Sequence, residues 1–277
     1  MKRLSGVRHL ALDLDGTLYL GGRLFPFTIP FLAKVKALGL GRTFFTNNSS
    51  VSTAGYVKKL RGLGIDSEVD EVHSSTSATL EYLRSERPEV SALYVLGTPA
   101  LRGEFAENGF TVIEEGRTEP DAVVVGFDPT LDFRRLCEAT YWVSRGKPFI
   151  ATNGDAVCPT DLPTVLVDCG SVCKAIEHAT GRGPDVVCGK PAAGMLAGVL
   201  KRHRLRAEEV AVVGDRLYTD IAMARGAGAV GVLVLTGETT RGQVEGAAEG
   251  ERPDFVVENV MELAEMLSKA GGVMGVK

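Results

Sequence analysis

Short β-branched runs alternate with amphipathic helical stretches from one end of the chain to the other, and this alternation restricts the fold more than any other feature. It is the pattern of a parallel sheet wrapped by helices. Residues 7–14 read as a buried strand. Residues 27–38 follow as a helix, with an apolar stripe at Phe31, Leu32, Val35 and Leu38. Gly39 and Gly41 stop that helix, and 42–46 (RTFFT) read as the next strand. Helices are expected over 53–63, ending at Gly64, and over 76–85.

The middle of the chain repeats the scheme in smaller units. Strands are expected at 92–96, 122–126 and 148–151, and helices over 100–108, 131–144 and 171–180. A turn at Gly181-Arg182-Gly183-Pro184 then punctuates the sequence. Longer units return after it: strand 186–188, helix 192–203, strand 210–213, helix 219–225, strand 230–235 and a last helix over 260–270. The one hint of repetition sets FFTNN (44–48) against IATNG (150–154), both strand ends turning into polar loops.

The 277 residues, 44% of them hydrophobic, suffice for one large domain or two smaller ones. With 31 Lys and Arg against 35 Asp and Glu, the net charge of −4 gives no general pull towards nucleic acid or anionic lipid. An anionic substrate must therefore be held by a local site. The first residues, MKRLSG, lead into no apolar run long enough for a signal peptide. No stretch approaches the ~18 uninterrupted apolar residues of a spanning helix. The five cysteines are odd in number and form no CxxC pair, which reads as reduced thiols in a cytoplasmic protein.

Chemistry concentrates where strands are expected to end. Asp13-Leu14-Asp15-Gly16-Thr17 sits where an apolar strand meets a glycine turn, the end of a strand at which open α/β sheets bind ligands. Two carboxylates two residues apart can divide attack and proton transfer if a cation offsets their crowding. The bland reading is a turn or helix cap. Thr46, followed by Asn47, Asn48, Ser49 and Ser50, offers a hydroxyl and loop amides for a phosphate, or ordinary caps for the next helix. Lys190, in Gly189-Lys190-Pro191, is either a compact charge for a phosphoryl oxygen or a solvated surface lysine. Pro191 is expected to fix the start of the following helix. Asp215 ends another strand and supplies the hard oxygen that Mg²⁺ prefers, while Asp220 is either a supporting acid or a helix cap.

Taken in order, these four segments resemble the motifs of the haloacid-dehalogenase-like superfamily, and FFTNNSS and VGDRLYTD in full resemble its p-nitrophenylphosphatase-like branch. The resemblance spans essentially the whole chain. It implies an α/β fold: a Rossmann-like three-layer core with a parallel sheet, formed by 1–82 and 187–277. A smaller α/β cap of the type C2 kind, at 83–186, is inserted between the second and third motifs. Carried over by position, Asp13 matches the nucleophile that forms an aspartyl-phosphate, and Asp15 the general acid and base. Thr46, Asn47 and Asn48 match the phosphoryl-binding loop, joined by Lys190. Asp13, Asp215 and the backbone carbonyl of Asp15 match the Mg²⁺ ligands, with Asp220 supporting them. Residues 18–26 resemble the flap hairpin. Asp155, in the polar loop after the 148–151 strand, is a candidate contact for the substrate's leaving group, or else a turn cap.

The activity so implied is Mg²⁺-dependent hydrolysis of small phosphate monoesters. The expected partners are a small phosphorylated metabolite and a second copy of the chain through the cap, with no nucleic acid and no membrane. A phosphomutase or phosphotransferase would use the same Asp13. The large insert between the second and third motifs argues against the known mutase pattern. A receiver-like module that merely accepts phosphate would be about half as long and would have no reason for a cap.

Overall fold

The computed structural model describes residues 3–114, 118–160 and 163–271. The chain opens with β1 (His9–Asp13), the short hairpin of β2 (Tyr19–Leu20) and β3 (Arg23–Leu24), helix α1 (Thr28–Ala37) and β4 (Gly41–Thr46). Then come α2 (Thr53–Gly62), β5 (Val72–Ser74), α3 (Ser75–Glu86), β6 (Ala92–Leu96), α4 (Pro99–Glu107), β7 (Thr111–Ile113) and β8 (Ala122–Val125). Next are α5 (Phe133–Ser144), β9 (Phe149–Ala151), β10 (Val157–Cys158), β11 (Leu166–Val167), α6 (Cys169–Thr180) and β12 (Val186–Val187). The chain continues with α7 (Gly194–His203), β13 (Val210–Gly214), α8 (Ala222–Ala227) and β14 (Val230–Val234). It closes with α9 (Arg241–Gly246), β15 (Phe255–Val257) and α10 (Val260–Gly271).

These elements form two compact units. The first gathers the described residues of Met1–Phe45, Val57–Val72 and Lys190–Lys277. Its sheet runs in the order β15-β14-β13-β1-β4-β5, and β1 pairs in parallel with both β13 and β4. Every residue of β1, β13 and β14 is buried, as a parallel sheet covered on both faces requires. The register decides which side chains can meet at the sheet's edge. Leu12 pairs with Val213, so Asp13 at the end of β1 comes level with the end of β13, where Asp215 begins the next loop.

The second unit gathers Thr46–Tyr56 and His73–Gly189. Its five-stranded parallel sheet has the order β12-β9-β8-β6-β7. Tyr94, Val123, Val125 and Phe149 of that sheet share a core with Trp142 of α5 and Ile176 of α6. The architecture is α/β throughout, a Rossmann-like core with an inserted α/β cap domain. Residue 82, the expected end of the first core segment, lies inside α3.

Three local expectations need correction. The sequence suggests that the strand at 186–188 opens the final stretch of the core, but β12 pairs with β9 and so completes the smaller sheet. Two or three apolar residues carry no information about which sheet they join. The helix after Lys190 begins at Gly194, not at the proline, and the Lys190–Pro191 bond is cis. The helix expected over 219–225 opens as a wide π-type turn, Leu217–Ile221, before α8. There the Asp220 carboxylate accepts the Arg216 amide at 3.2 Å. Sequence periodicity does not reveal β5, β7, β15 or the β10–β11 hairpin, because two or three residues are too few to display a period.

Candidate active site

Asp13 ends β1 and is the hub of a buried charge cluster in the first unit. Lys190 Nζ donates to Asp13 Oδ1 at 2.5 Å and to Asp220 Oδ1 at 2.7 Å. Thr17 Oγ1 donates to the other oxygen of Asp13 at 3.0 Å. Lys190 is only 4% exposed, Asp13 8% and Asp220 1%. An ammonium buried to that degree needs fixed anionic partners, because its desolvation is otherwise too costly. The solvated-surface reading of Lys190 therefore fails. Asp220 accepts the lysine through one oxygen and the Arg216 amide, at the π-type turn, through the other.

Asp215 stands beside this pair because the backbone makes room for it. Gly16 has φ of +86°, and a Cβ there would fall 2.5 Å from Asp215 Oδ2. A Cβ on Gly237 would fall 1.9 Å from the same atom. The Glu238 amide donates to Asp215 Oδ2 at 2.7 Å, and Thr236 Oγ1 donates to the Gly16 carbonyl at 2.6 Å. The loop after β14 thus locks the turn after β1 to the carboxylate after β13. Asp15, about a third exposed, accepts Gly21 N at 3.1 Å from the hairpin turn, with Lys59 Nζ 3.9 Å away.

Burial dominates the electrostatics. It pushes Asp13 up to about 8, against the pull of Lys190 and with further push from Asp220 and Asp215. Asp215 rises to about 6, through burial and then Asp220. Burial likewise raises Asp15, with Lys59 opposing. Burial alone would lower Lys190, but Asp13 and Asp220 outweigh it and hold the ammonium charged. Lys190 thus stands among buried carboxylates that outnumber it. One oxygen each from Asp13, Asp215 and Asp220 lie within 4.8 Å of one another, a spacing that fits a divalent cation. The donors are all oxygen, which suits Mg²⁺ and not zinc. A cation there would also keep Asp13 ionised.

The remaining predicted residues belong to the second unit. Thr46 Oγ1 accepts the Asn48 amide at 3.2 Å. Asn47 is held through both backbone and side chain. Its backbone carbonyl accepts Ser75 Oγ at 2.7 Å and Asn153 Nδ2 at 2.6 Å, and its Nδ2 donates to Asp155 Oδ2 at 3.0 Å. Asn48 Oδ1 accepts both the amide and the hydroxyl of Ser50. The capping expected of this loop is done elsewhere, by Ser52 Oγ accepting Gly55 N and by Glu104 accepting Thr53 N.

Sequence reasoning missed Thr17, Thr236 and Glu238 as supports of the cluster. Thr17 lies within the first motif, and its hydroxyl so soon after Asp13 was the available signal. Thr236 and Glu238 follow a strand end, as Asp215 does, but act through an amide and a carbonyl contact that no side-chain pattern advertises.

Residues 10–111 match the family described as "Haloacid dehalogenase-like hydrolase", and residues 187–263 the one described as "HAD-hyrolase-like". Human glycerol-3-phosphate phosphatase is 32% identical, over 94% of this chain and 91% of that protein. The crystal structure of 4-nitrophenylphosphatase from Thermotoga maritima superposes with a TM-score of 0.89 at 41% identity, covering 95% of this chain and 98% of the other. Glycerol phosphate phosphatase from Mycobacterium tuberculosis, solved in complex with magnesium, gives a TM-score of 0.87 at 30% identity over 96% and 79% of the two chains. The four motifs, the inserted cap and this likeness over nearly the full length agree. The chain belongs to the haloacid dehalogenase-like hydrolase family, as a phosphoric monoester hydrolase of its 4-nitrophenylphosphatase-like branch.

Proposed function

We propose that this enzyme hydrolyses small phosphate monoesters with Mg²⁺ through an aspartyl-phosphate on Asp13. The observation that carries the reading is the Lys190 ammonium bound to Asp13 and Asp220, with Asp215 beside them. A carboxylate oxygen of Asp13 attacks phosphorus as the bond to the leaving oxygen breaks, and Asp15 gives that oxygen its proton. Asp15 then takes a proton from water as the water oxygen attacks the phosphoryl group. Inorganic phosphate leaves, and Asp13 is free again. Lys190 offsets negative charge on the phosphoryl oxygens, the main electrostatic demand of this transfer.

Asp13, Asp215 and the Asp15 carbonyl would hold Mg²⁺. The bound ion supplies charge for the phosphoryl oxygens and keeps the nucleophile ionised. Thr46, Asn47 and Asn48 serve as the phosphoryl-binding loop, and the insert that carries the five-stranded sheet serves as the cap. Glycerol phosphate is the first natural substrate to test, because two relatives are named for it. The experiment is turnover of 4-nitrophenyl phosphate and of a panel of phosphorylated metabolites with Mg²⁺. Release of inorganic phosphate supports the reading. Transfer to an added sugar without net release would favour the phosphotransferase alternative.

A further inference from the structure

Lys59 stands apart from the cluster around Asp13, yet it reaches the second acid. From the last turn of α2 its Nζ lies 3.9 Å from Asp15 Oδ2 and 4.3 Å from the centre of the Tyr19 ring. Tyr19 is fully buried and its carbonyl accepts the Gly16 amide at 2.8 Å, so this ring is anchored to the turn that carries Asp15. The other oxygen of Asp15 is held by Gly21 N from the hairpin. Asp15 is thus hydrogen-bonded to the hairpin backbone and ion-paired with an ammonium from a separate helix. A lysine side chain that is 36% exposed has solvent within reach. Its seat over an aromatic face and beside a carboxylate is a specific one.

We propose that Lys59 is a positioning residue for proton transfer, holding the Asp15 carboxyl group against the Tyr19-anchored hairpin so that it keeps one orientation through the cycle. The inference rests on the reading of Asp15 as the acid. Lys59 itself neither gives nor takes a proton. The proton passes from Asp15 to the leaving oxygen as the phosphorus–oxygen bond breaks, and the resulting carboxylate stays beside the Lys59 charge.

The consequence is a dependence on the leaving group. A 4-nitrophenolate leaves as a stable anion, whereas an alkoxide needs the proton. Misplacing the acid therefore penalises alkyl phosphates far more than the aryl ester. The test compares kcat/KM for glycerol phosphate and 4-nitrophenyl phosphate in Lys59→Met, Lys59→Arg and Asp15→Asn, each checked for an unchanged thermal midpoint. In Lys59→Met the alkyl-to-aryl ratio should fall about tenfold or more, on the scale of small misplacements of a catalytic group. Lys59→Arg, which keeps charge and reach, should recover most of that ratio. Adding Lys59→Met to Asp15→Asn should lower the ratio no further. Equal losses on both substrates in Lys59→Met, or an additive effect in the double variant, would overturn the inference. If Asp15→Asn itself leaves the ratio unchanged, the reading of Asp15 fails instead.

Discussion

Asp220 holds Lys190 at 2.7 Å, with both side chains almost wholly buried. The lysine is therefore fixed by an acid other than Asp13, which it also touches. A charge so placed is already oriented before any phosphate arrives, which is how a preorganised site differs from water.

Replacing Lys190 should be severe in two ways. Lys190→Ala removes the ammonium that faces Asp13 and Asp220 and is expected to cost about 10²-fold or more in kcat. Lys190→Arg should restore little, because the flat guanidinium does not fit a seat shaped for a compact ammonium. Steady-state kinetics of the two variants check this, and a fully active arginine variant would contradict it.

Metal dependence is expected from the three buried carboxylates gathered at one place. Activity should vanish in chelator and return with Mg²⁺. Asp215→Asn should raise the Mg²⁺ concentration needed for half-maximal activity by about tenfold or more, the loss typical of altered metal-site partners. Titration of activity against Mg²⁺ measures this. An unchanged requirement in the variant would remove Asp215 from the ligand set.

Asp155 is the sequence's candidate for the leaving group, yet its carboxylate accepts the side-chain amide of Asn47. The expected effect of Asp155→Ala is therefore carried through Asn47: a loss of several-fold in kcat/KM, the scale of one lost hydrogen bond, similar for aryl and alkyl phosphates. A loss confined to some substrates would return Asp155 to the leaving group.

Stability should depend on pH through His9, remote from this chemistry. His9 is buried in β1, with Nε2 2.8 Å from Thr43 Oγ1 and its ring against His203. Burial first, and then His203, lower it from 6.5 to about 4. The unfolded chain therefore binds the extra proton between those values. The stabilisation is complete above about 6.5 and is lost as pH falls through about 4, amounting to roughly 3 kcal/mol at most. Urea unfolding at pH 7 and pH 5 should show a steeper loss in the parent than in His9→Gln. Equal losses would contradict it.

The site was legible in the sequence where chemistry coincides with a strand end. Asp13, Asp215 and Lys190 each come after a short apolar run, and for Asp13 and Asp215 the parallel register alone brings the two ends together. The sequence could not say which sheet claims Val186 and Val187, because pairing partners are chosen by three-dimensional packing. Nor could it assign Glu238 to Asp215, since that bond uses an amide that nearly every residue owns. The pairing of Asp155 with Asn47 spans 108 positions of chain, and no local pattern encodes it.

Phosphoryl transfer through Asp13 can be read from mass spectrometry of the enzyme quenched in acid during turnover, with peptide mapping of the added phosphate. Phosphate should appear on the peptide containing Asp13. In Asp13→Asn the adduct should be absent and turnover reduced by about 10⁴-fold. Near-normal hydrolysis by Asp13→Asn, or phosphate trapped on another residue, would contradict an aspartyl-phosphate at this position.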